Sequence, residues 1–493
     1  MSEDLIGATD VHDIQMTRTL GPGSLVLLGL GGVIGAGVFV SVGIAAHDKA
    51  GPAIIVSFLV AAAACIAVAL CFCECASRVP VAGSTYAYGR AACGDLGGWL
   101  SGWNLVTCYF LAGAAVAQGW SGYFQSLLGA LGIAWPTQFS SAPIDLNPTT
   151  GKIALSGSAL NLPALMILAI VTAVAYRGIR LSMRINNILL AIKLSALLVV
   201  VAVGIAHFNA ANWIPFAPFG WGGISLSSVL SGASGHSAAG VLAGSAMVFF
   251  AFGGFEMLSA YSHECKRPQR DVPRGVIATI CAITLVYVAV AVALTGMVPS
   301  SQISISAPIS DAFKSIHLGW AQLLVAVGAV IGMGSVLLVL IMSLPRVLYG
   351  IAKDGRLPSW FCVMHPKFQT PSRSILFVGA IAIAASSLLP LRIVMDFVMT
   401  CTLAGYISVC IFVLLLRRHS ETSAPEFRIP GGQIIPVSGV LVCLMLIMAV
   451  PIGNLAALGI WLAIGGITFA ASRLRRTNEN NSGDSVLRPD AGQ

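Results

Sequence analysis

Apolar runs, each long enough to cross a bilayer as a helix, follow one another from residue 24 to residue 472. Inside hydrocarbon a backbone amide has no water to bond. Such a run is therefore stable there only as a helix or as part of a closed barrel. These runs are continuously apolar and do not alternate with polar residues, which excludes the barrel. About 20 residues suffice to span the hydrocarbon, and the helices are read as 24–46, 53–77, 96–130, 160–176, 185–206, 238–262, 275–298, 319–348, 374–390, 393–416, 434–451 and 453–472. With only 9% of its residues charged, a chain of this length could not cover the surface of a soluble protein. The expectation is an all-α integral membrane protein with twelve transmembrane helices.

The charges then set the orientation. Of the 27 lysines and arginines, twenty-two fall on one side if the amino terminus is cytoplasmic, among them Arg78, Arg90, Arg274, Arg356 and Arg417. Only Lys49, Lys152, Lys314 and Arg392 fall on the other, and Lys193 lies inside a span. That asymmetry places both termini in the cytoplasm and supports an even number of spans. The net charge of +8 is thereby absorbed by topology and gives no ground for a nucleic-acid partner. The acidic start MSEDLIGATDVHD lacks a charged-then-apolar leader, so no cleavage is expected. All twelve cysteines lie in spans or on the cytoplasmic side, which gives no extracellular disulfide framework. Residues 131–159 read as a polar surface loop, and 473–493 as a cytoplasmic tail without structure.

Two spans carry glycines in unusual density. Gly29 to Phe39 reads GLGGVIGAGVF, with five glycines in eleven residues. No lysine follows in a phosphate-loop register. Gly31 and Gly35 form a GxxxG pair, which by itself signals close helix packing, whereas the continuation Gly35-Ala36-Gly37 favours unwinding. Phe249 to Glu256 reads FFAFGGFE, where Gly253 and Gly254 weaken the sixth span; a packing kink is the plainer reading of that segment alone. Together the two lie in spans one and six, the first members of two successive five-span groups. Glycine-interrupted segments at corresponding places in two halves point to an inverted-repeat transporter with its site at the breaks. The organisation expected is a cytoplasmic segment 1–23, repeats at 24–206 and 238–416, and two further helices at 434–472. Amides opening a half-helix suit a carboxylate, and carbonyls closing the opposing half-helix suit an ammonium. A zwitterionic α-amino acid presents both.

The quoted stretch GGVIGAGVF resembles the first-helix signature of the amino acid–polyamine–organocation superfamily. SRVPVAGSTYAYGRAACGDLGGWLSGWNLVTCYFLAGAAVAQGWSGY resembles its amphipathic loop and third helix, especially in the cationic amino acid transporter family. FFAFGGFEMLSAYSHECKRPQRDVPRG is similar to the sixth helix and following loop, with Glu264, Pro268, Arg270 and Pro273 in the acid–Pro–Arg–Pro pattern. SLPRVLYGIAKDGRLPSW resembles the end of the eighth. The resemblance implies five-plus-five inverted repeats with helices one and six unwound, and a bacterial plasma-membrane protein that carries L-amino acids with a proton. It implies that Gly35, Ala36 and Gly37 offer amides to the substrate carboxylate. The carbonyls of Val33, Ile34, Phe250 and Ala251 would face its amino group, beside Gly253, and Phe252 and Phe255 would line or close the side-chain path; plain helix packing is the other reading of both aromatics. Some relatives carry an acid in the third helix where this chain has Cys108, so cationic specificity is not secured. Met333 would size the pocket or pack in the core.

Lys193 lies about eight residues into the fifth span, roughly 12 Å deep, beyond comfortable snorkelling. An intramembrane ammonium is costly and therefore a functional candidate, and releasing its proton removes the cost. The resemblance implies that it replaces a bound sodium next to first-helix carbonyls, with Ser335 as a neighbour. A static lysine on helix-end carbonyls is the alternative. Glu256 is either a second proton site or an acid that complements a helix dipole. Glu74 reads as structural, and Glu264 as a pin of the inner loop. The expected coupling ion is the proton, with no metal or organic cofactor; the partners are the amino acid and lipid. Exchange of amino acids or polyamines, and sensing without transport, remain alternatives. The eight histidines form no HExxH pattern or close His/Asp cluster, which argues against an enzyme, and no filter motif suggests a channel.

Overall fold

The computed structural model describes residues 21–79, 85–146, 153–178, 183–222, 239–256, 258, 265, 267–368, 370–419 and 427–486. Residues 1–20 of the expected cytoplasmic segment 1–23, and Glu264 and Lys266, lie outside these. The described chain is helical: α1 Pro22–Val33, α2 Val42–Ala45, α3 Ile54–Arg78, α4 Thr85–Ala130, α5 Leu162–Tyr176, α6 Met183–Ala206, α7 Val241–Phe249, α8 Pro268–Met297, α9 Pro308–Ser315, α10 Gly319–Lys353, α11 Ser372–Leu388, α12 Leu391–His419, α13 Ile434–Ile447 and α14 Ile452–Val486. Among the described residues, seven helices are long and apolar enough to cross a membrane, and five apolar ones are shorter.

Four details differ from the sequence reading. The loop 131–159 contains a short antiparallel hairpin, β1 Ile144–Leu146 with β2 Ile153–Leu155, in which Asp145 faces Ala154. Its strands are too short for hydrophobic periodicity to reveal. The tail expected to lack structure is helical to Val486, because lengthening an existing helix avoids the cost of nucleating one. α10 runs on to Lys353 through Pro345. α4 holds a left-handed Gly94 at φ 72°, which separates a short stretch at Thr85 from the long span that follows.

α4 packs along α10 and α12, α8 along α1, α3 and α6, and α5 along α11. At one end of the bundle, Glu74 at the end of α3 is wholly buried. Its carboxylate accepts from Arg417 Nη2 at 2.6 Å, from Arg78 Nε at 3.0 Å and from the Ile429 amide at 3.0 Å. This knot ties α3, α12 and the segment after it, in line with the structural role read for Glu74. At the opposite end Tyr123 on α4 donates to the Phe39 carbonyl at 2.7 Å and accepts from the Ile309 amide at 3.3 Å.

Candidate functional site

α1 stops at Val33. Ile34 is extended, with ψ 104°, and helical geometry resumes in a π-helical turn, Gly37–Ser41. The second glycine-rich stretch behaves comparably: α7 tightens into a 3-10 turn at Phe250–Phe252, Gly253 follows with ψ 141°, and Gly254 takes φ 108°. That last conformation is natural only for glycine. The two stretches touch. A Cβ on Gly37 would stand 2.4 Å from Ala251 Cα, so only glycine lets the backbones meet here.

Breaking a helix strands amides and carbonyls, and side chains from distant helices take up most of the carbonyls. Lys193 on α6, 1% exposed, donates from Nζ to the Gly31 and Ile34 carbonyls, both at 3.0 Å. Its stem lies along Gly332 of α10, where a Cβ would be 3.1 Å from Lys193 Cγ. Ser335, expected beside it, turns its hydroxyl back to the Gly332 carbonyl at 2.8 Å. Tyr287 of α8, fully buried, donates to the Ala251 carbonyl at 3.0 Å and reaches the Val33 carbonyl at 3.4 Å, bridging both broken stretches. The carbonyls expected to face a substrate amine are thus largely held by the protein: Phe250 accepts from the Gly253 amide at 3.1 Å. The amides are different. Among the described residues, no group of another element accepts from Gly35, Ala36 or Gly37.

Those amides open onto a cavity of about 280 Å³ between α1, α4, α10, α12 and the second break. Ligand sites commonly measure about 300–1,000 Å³, so this one suits a molecule of amino-acid size. Of the residues singled out from sequence, Val33, Gly35, Ala36, Gly37, Cys108, Phe250, Gly253 and Glu256 line it. Ile34, Ala251, Phe252, Met333 and Lys193 do not. Phe252 packs edge-on against Phe58 and Tyr287, and Phe255 against Phe72 and Tyr406. Met333 is buried, with its sulfur close to Gly119.

Glu256, 8% exposed, is fixed in the wall. Its Oε2 accepts from the Gly254 amide at 2.8 Å and from Tyr406 at 3.0 Å, while Tyr109 approaches Oε1 at 3.4 Å. Cys108 sits 3.1 Å from the Thr402 hydroxyl. Sequence reasoning missed Asn104, Tyr109, Tyr287, Thr402 and Tyr406. Asn104 and Tyr109 are one helical turn and one residue from Cys108, so the face of α4 that holds Cys108 was the available signal; the α8 and α12 residues gave none.

A family profile described as amino acid permease matches residues 20–461. Over 455 residues, 92% of this chain and 93% of the relative, the sequence is 35% identical to a methylthioribose transporter of Bacillus subtilis. It is 36% identical over 468 residues, 95% of each, to the branched-chain amino acid permease BcaP of the same organism. To the cationic amino acid transporter 4 of Mus musculus it is 33% identical over 434 residues, 85% of this chain and 63% of the relative.

Proposed function

Because this chain belongs to the amino acid permease family, whose relatives are transporters and not enzymes, we propose that it carries L-amino acids across the plasma membrane by proton-coupled symport. The observation that carries the substrate half of this reading is that, among the described residues, no group of another element accepts from the amides of Gly35, Ala36 and Gly37, which line an amino-acid-sized cavity. Amides at the start of a half-helix hold a carboxylate without a buried formal charge of the protein. The amino group would lie toward the second break, where the Phe250 carbonyl, already accepting from the Gly253 amide, has a second lone pair to offer.

Proton coupling rests on Lys193. As an ammonium it grips Gly31 and Ile34 and steadies the first break. After losing a proton it has fewer donors and no charge, so the break is freer to rearrange. Glu256 is the second titratable group at the cavity and the second proposed proton site. Twelve spans arranged as two inverted five-helix repeats plus two helices, with both termini cytoplasmic, complete the reading. Alternating access would move the two broken stretches about their Gly37–Ala251 contact. Exchange of one amino acid for another uses the same site and is the second reading. It draws on the family relatives, whose named substrates differ widely.

The test is uptake into proteoliposomes holding the purified protein, with the twenty amino acids and polyamines screened first by thermal shift. Uptake that accelerates with an inward proton gradient is the expected result. Uptake that needs internal substrate and ignores the gradient identifies exchange, and binding without flux identifies a sensor.

A further inference from the structure

Four buried side-chain oxygens have no hydrogen-bond partner among the described residues: Asn104 Oδ1, Gln118 Oε1, Thr172 Oγ1 and Ser387 Oγ. Of these, Asn104 alone belongs to the wall of the cavity. Its orientation is fixed chemically. Nδ2 donates to the Cys401 carbonyl at 2.8 Å, and the flipped amide would set oxygen against oxygen, so Oδ1 is the end without a partner. Gly405 closes over it from α12, where a Cβ would lie 3.2 Å from Asn104 Nδ2. Asn104 is 7% exposed, and its carboxamide is held between two helices.

Several other polar side chains of this wall already donate or accept within the protein. The Thr402 hydroxyl donates to the Val398 carbonyl at 2.8 Å, Ser101 to Gly97 at 2.7 Å and Ser408 to Ala404 at 2.9 Å. Glu256 already accepts from the Gly254 amide and two tyrosines. Among the described residues, Asn104 Oδ1 is thus the fully buried side-chain oxygen of this wall that lacks a partner, and it is neutral.

We propose that Asn104 is a specificity-determining residue that selects amino acids whose side chain is a small neutral hydrogen-bond donor, the hydroxyl and carboxamide class. This rests on the transporter reading and narrows its substrate. An aliphatic side chain leaves the amide oxygen unmet in a low-dielectric wall, where a missing bond is most costly. A cationic side chain can donate, but must give up its water beside a Glu256 carboxylate that already accepts three hydrogen bonds. A hydroxyl or amide satisfies the oxygen and carries no charge.

Threonine and valine have nearly the same shape and differ by the donor. Competition for uptake in proteoliposomes should favour threonine over valine by about tenfold, the worth of one well-made hydrogen bond. Asn104→Leu, of similar volume, should bring that ratio to about one while valine still competes. Wild-type protein that accepts valine as well as threonine overturns the proposal, and needs no variant to fold. So does an Asn104→Leu protein that keeps the threonine preference. In both cases amino acid transport itself stands. If no amino acid competes at all, the transporter reading fails and takes this one with it.

Discussion

Lys193 Nζ stands 3.0 Å from the Ile34 carbonyl, at the residue where the first helix loses its helical dihedrals. The bond joins α6 to a break in α1 across 159 positions of sequence. A second bond to Gly31 spans the last helical turn before the break. One cation therefore satisfies a carbonyl on each side of the interruption. Gly332 supplies the room for its stem.

Lys193→Ala should abolish stimulation of uptake by an imposed pH gradient and leave substrate binding detectable by thermal shift. Without the ammonium, the stranded carbonyls of α1 have no fixed partner, so thermal stability should also fall, by about 1–3 kcal/mol for unmet buried polar groups. A mutant whose uptake still follows the gradient in full excludes Lys193 as the coupling group.

Gly37→Ala should damage the protein more than Gly32→Ala, although both residues line the cavity. A methyl on Gly37 meets Ala251 Cα at 2.4 Å, and backbone cannot step aside as a flexible side chain can. At Gly32 nothing lies within 4 Å, and alanine favours the helix. The expected cost at Gly37 is about 1–3 kcal/mol of overpacking, together with loss of binding. Melting temperature and ligand-induced stabilisation of the two variants, measured side by side, check this.

Tyr287→Phe removes a hydroxyl that joins the Val33 and Ala251 carbonyls and leaves its ring packed at a steep angle against Phe58 and Phe252. Stability should drop by about 0.5–1.5 kcal/mol, substrate affinity should weaken several-fold, and the pH dependence of uptake should be unchanged. An altered pH profile would mean that Tyr287 belongs to the proton route and does more than position the breaks.

Glu74→Ala leaves Arg417, Arg78 and the Ile429 amide without their shared acceptor. Removing one side of a buried ion pair costs about 3–5 kcal/mol, so the variant should unfold in detergent at a clearly lower temperature. Substrate preference among whatever folds should be that of the wild type, because Glu74 is not part of the cavity wall. A normal melting temperature would show that the knot is dispensable.

The membrane class was legible because it follows from the length and composition of local runs. So was the weakness at Gly31–Gly37 and at Gly253–Gly254, since glycine lowers helix stability wherever it stands. Lys193 stood out for the same local reason, a charge where the neighbours are apolar. Pairings across helices are of another kind. That Tyr287 meets Ala251, that Tyr406 and Tyr109 meet Glu256, and that Ile34 and Ala251 spend their carbonyls on protein donors all depend on how α4, α6, α8 and α12 pack. Composition does not encode that packing in any short window. Nor does it show that Asn104 has a partner at one end and, among the described residues, none at the other. Sequence alone determined that this chain crosses a membrane and where its helices are weak, because hydrophobicity and helix propensity act residue by residue. The tertiary structure decided which polar groups those weak points leave open, because a hydrogen bond exists only when two distant segments are brought within about 3 Å.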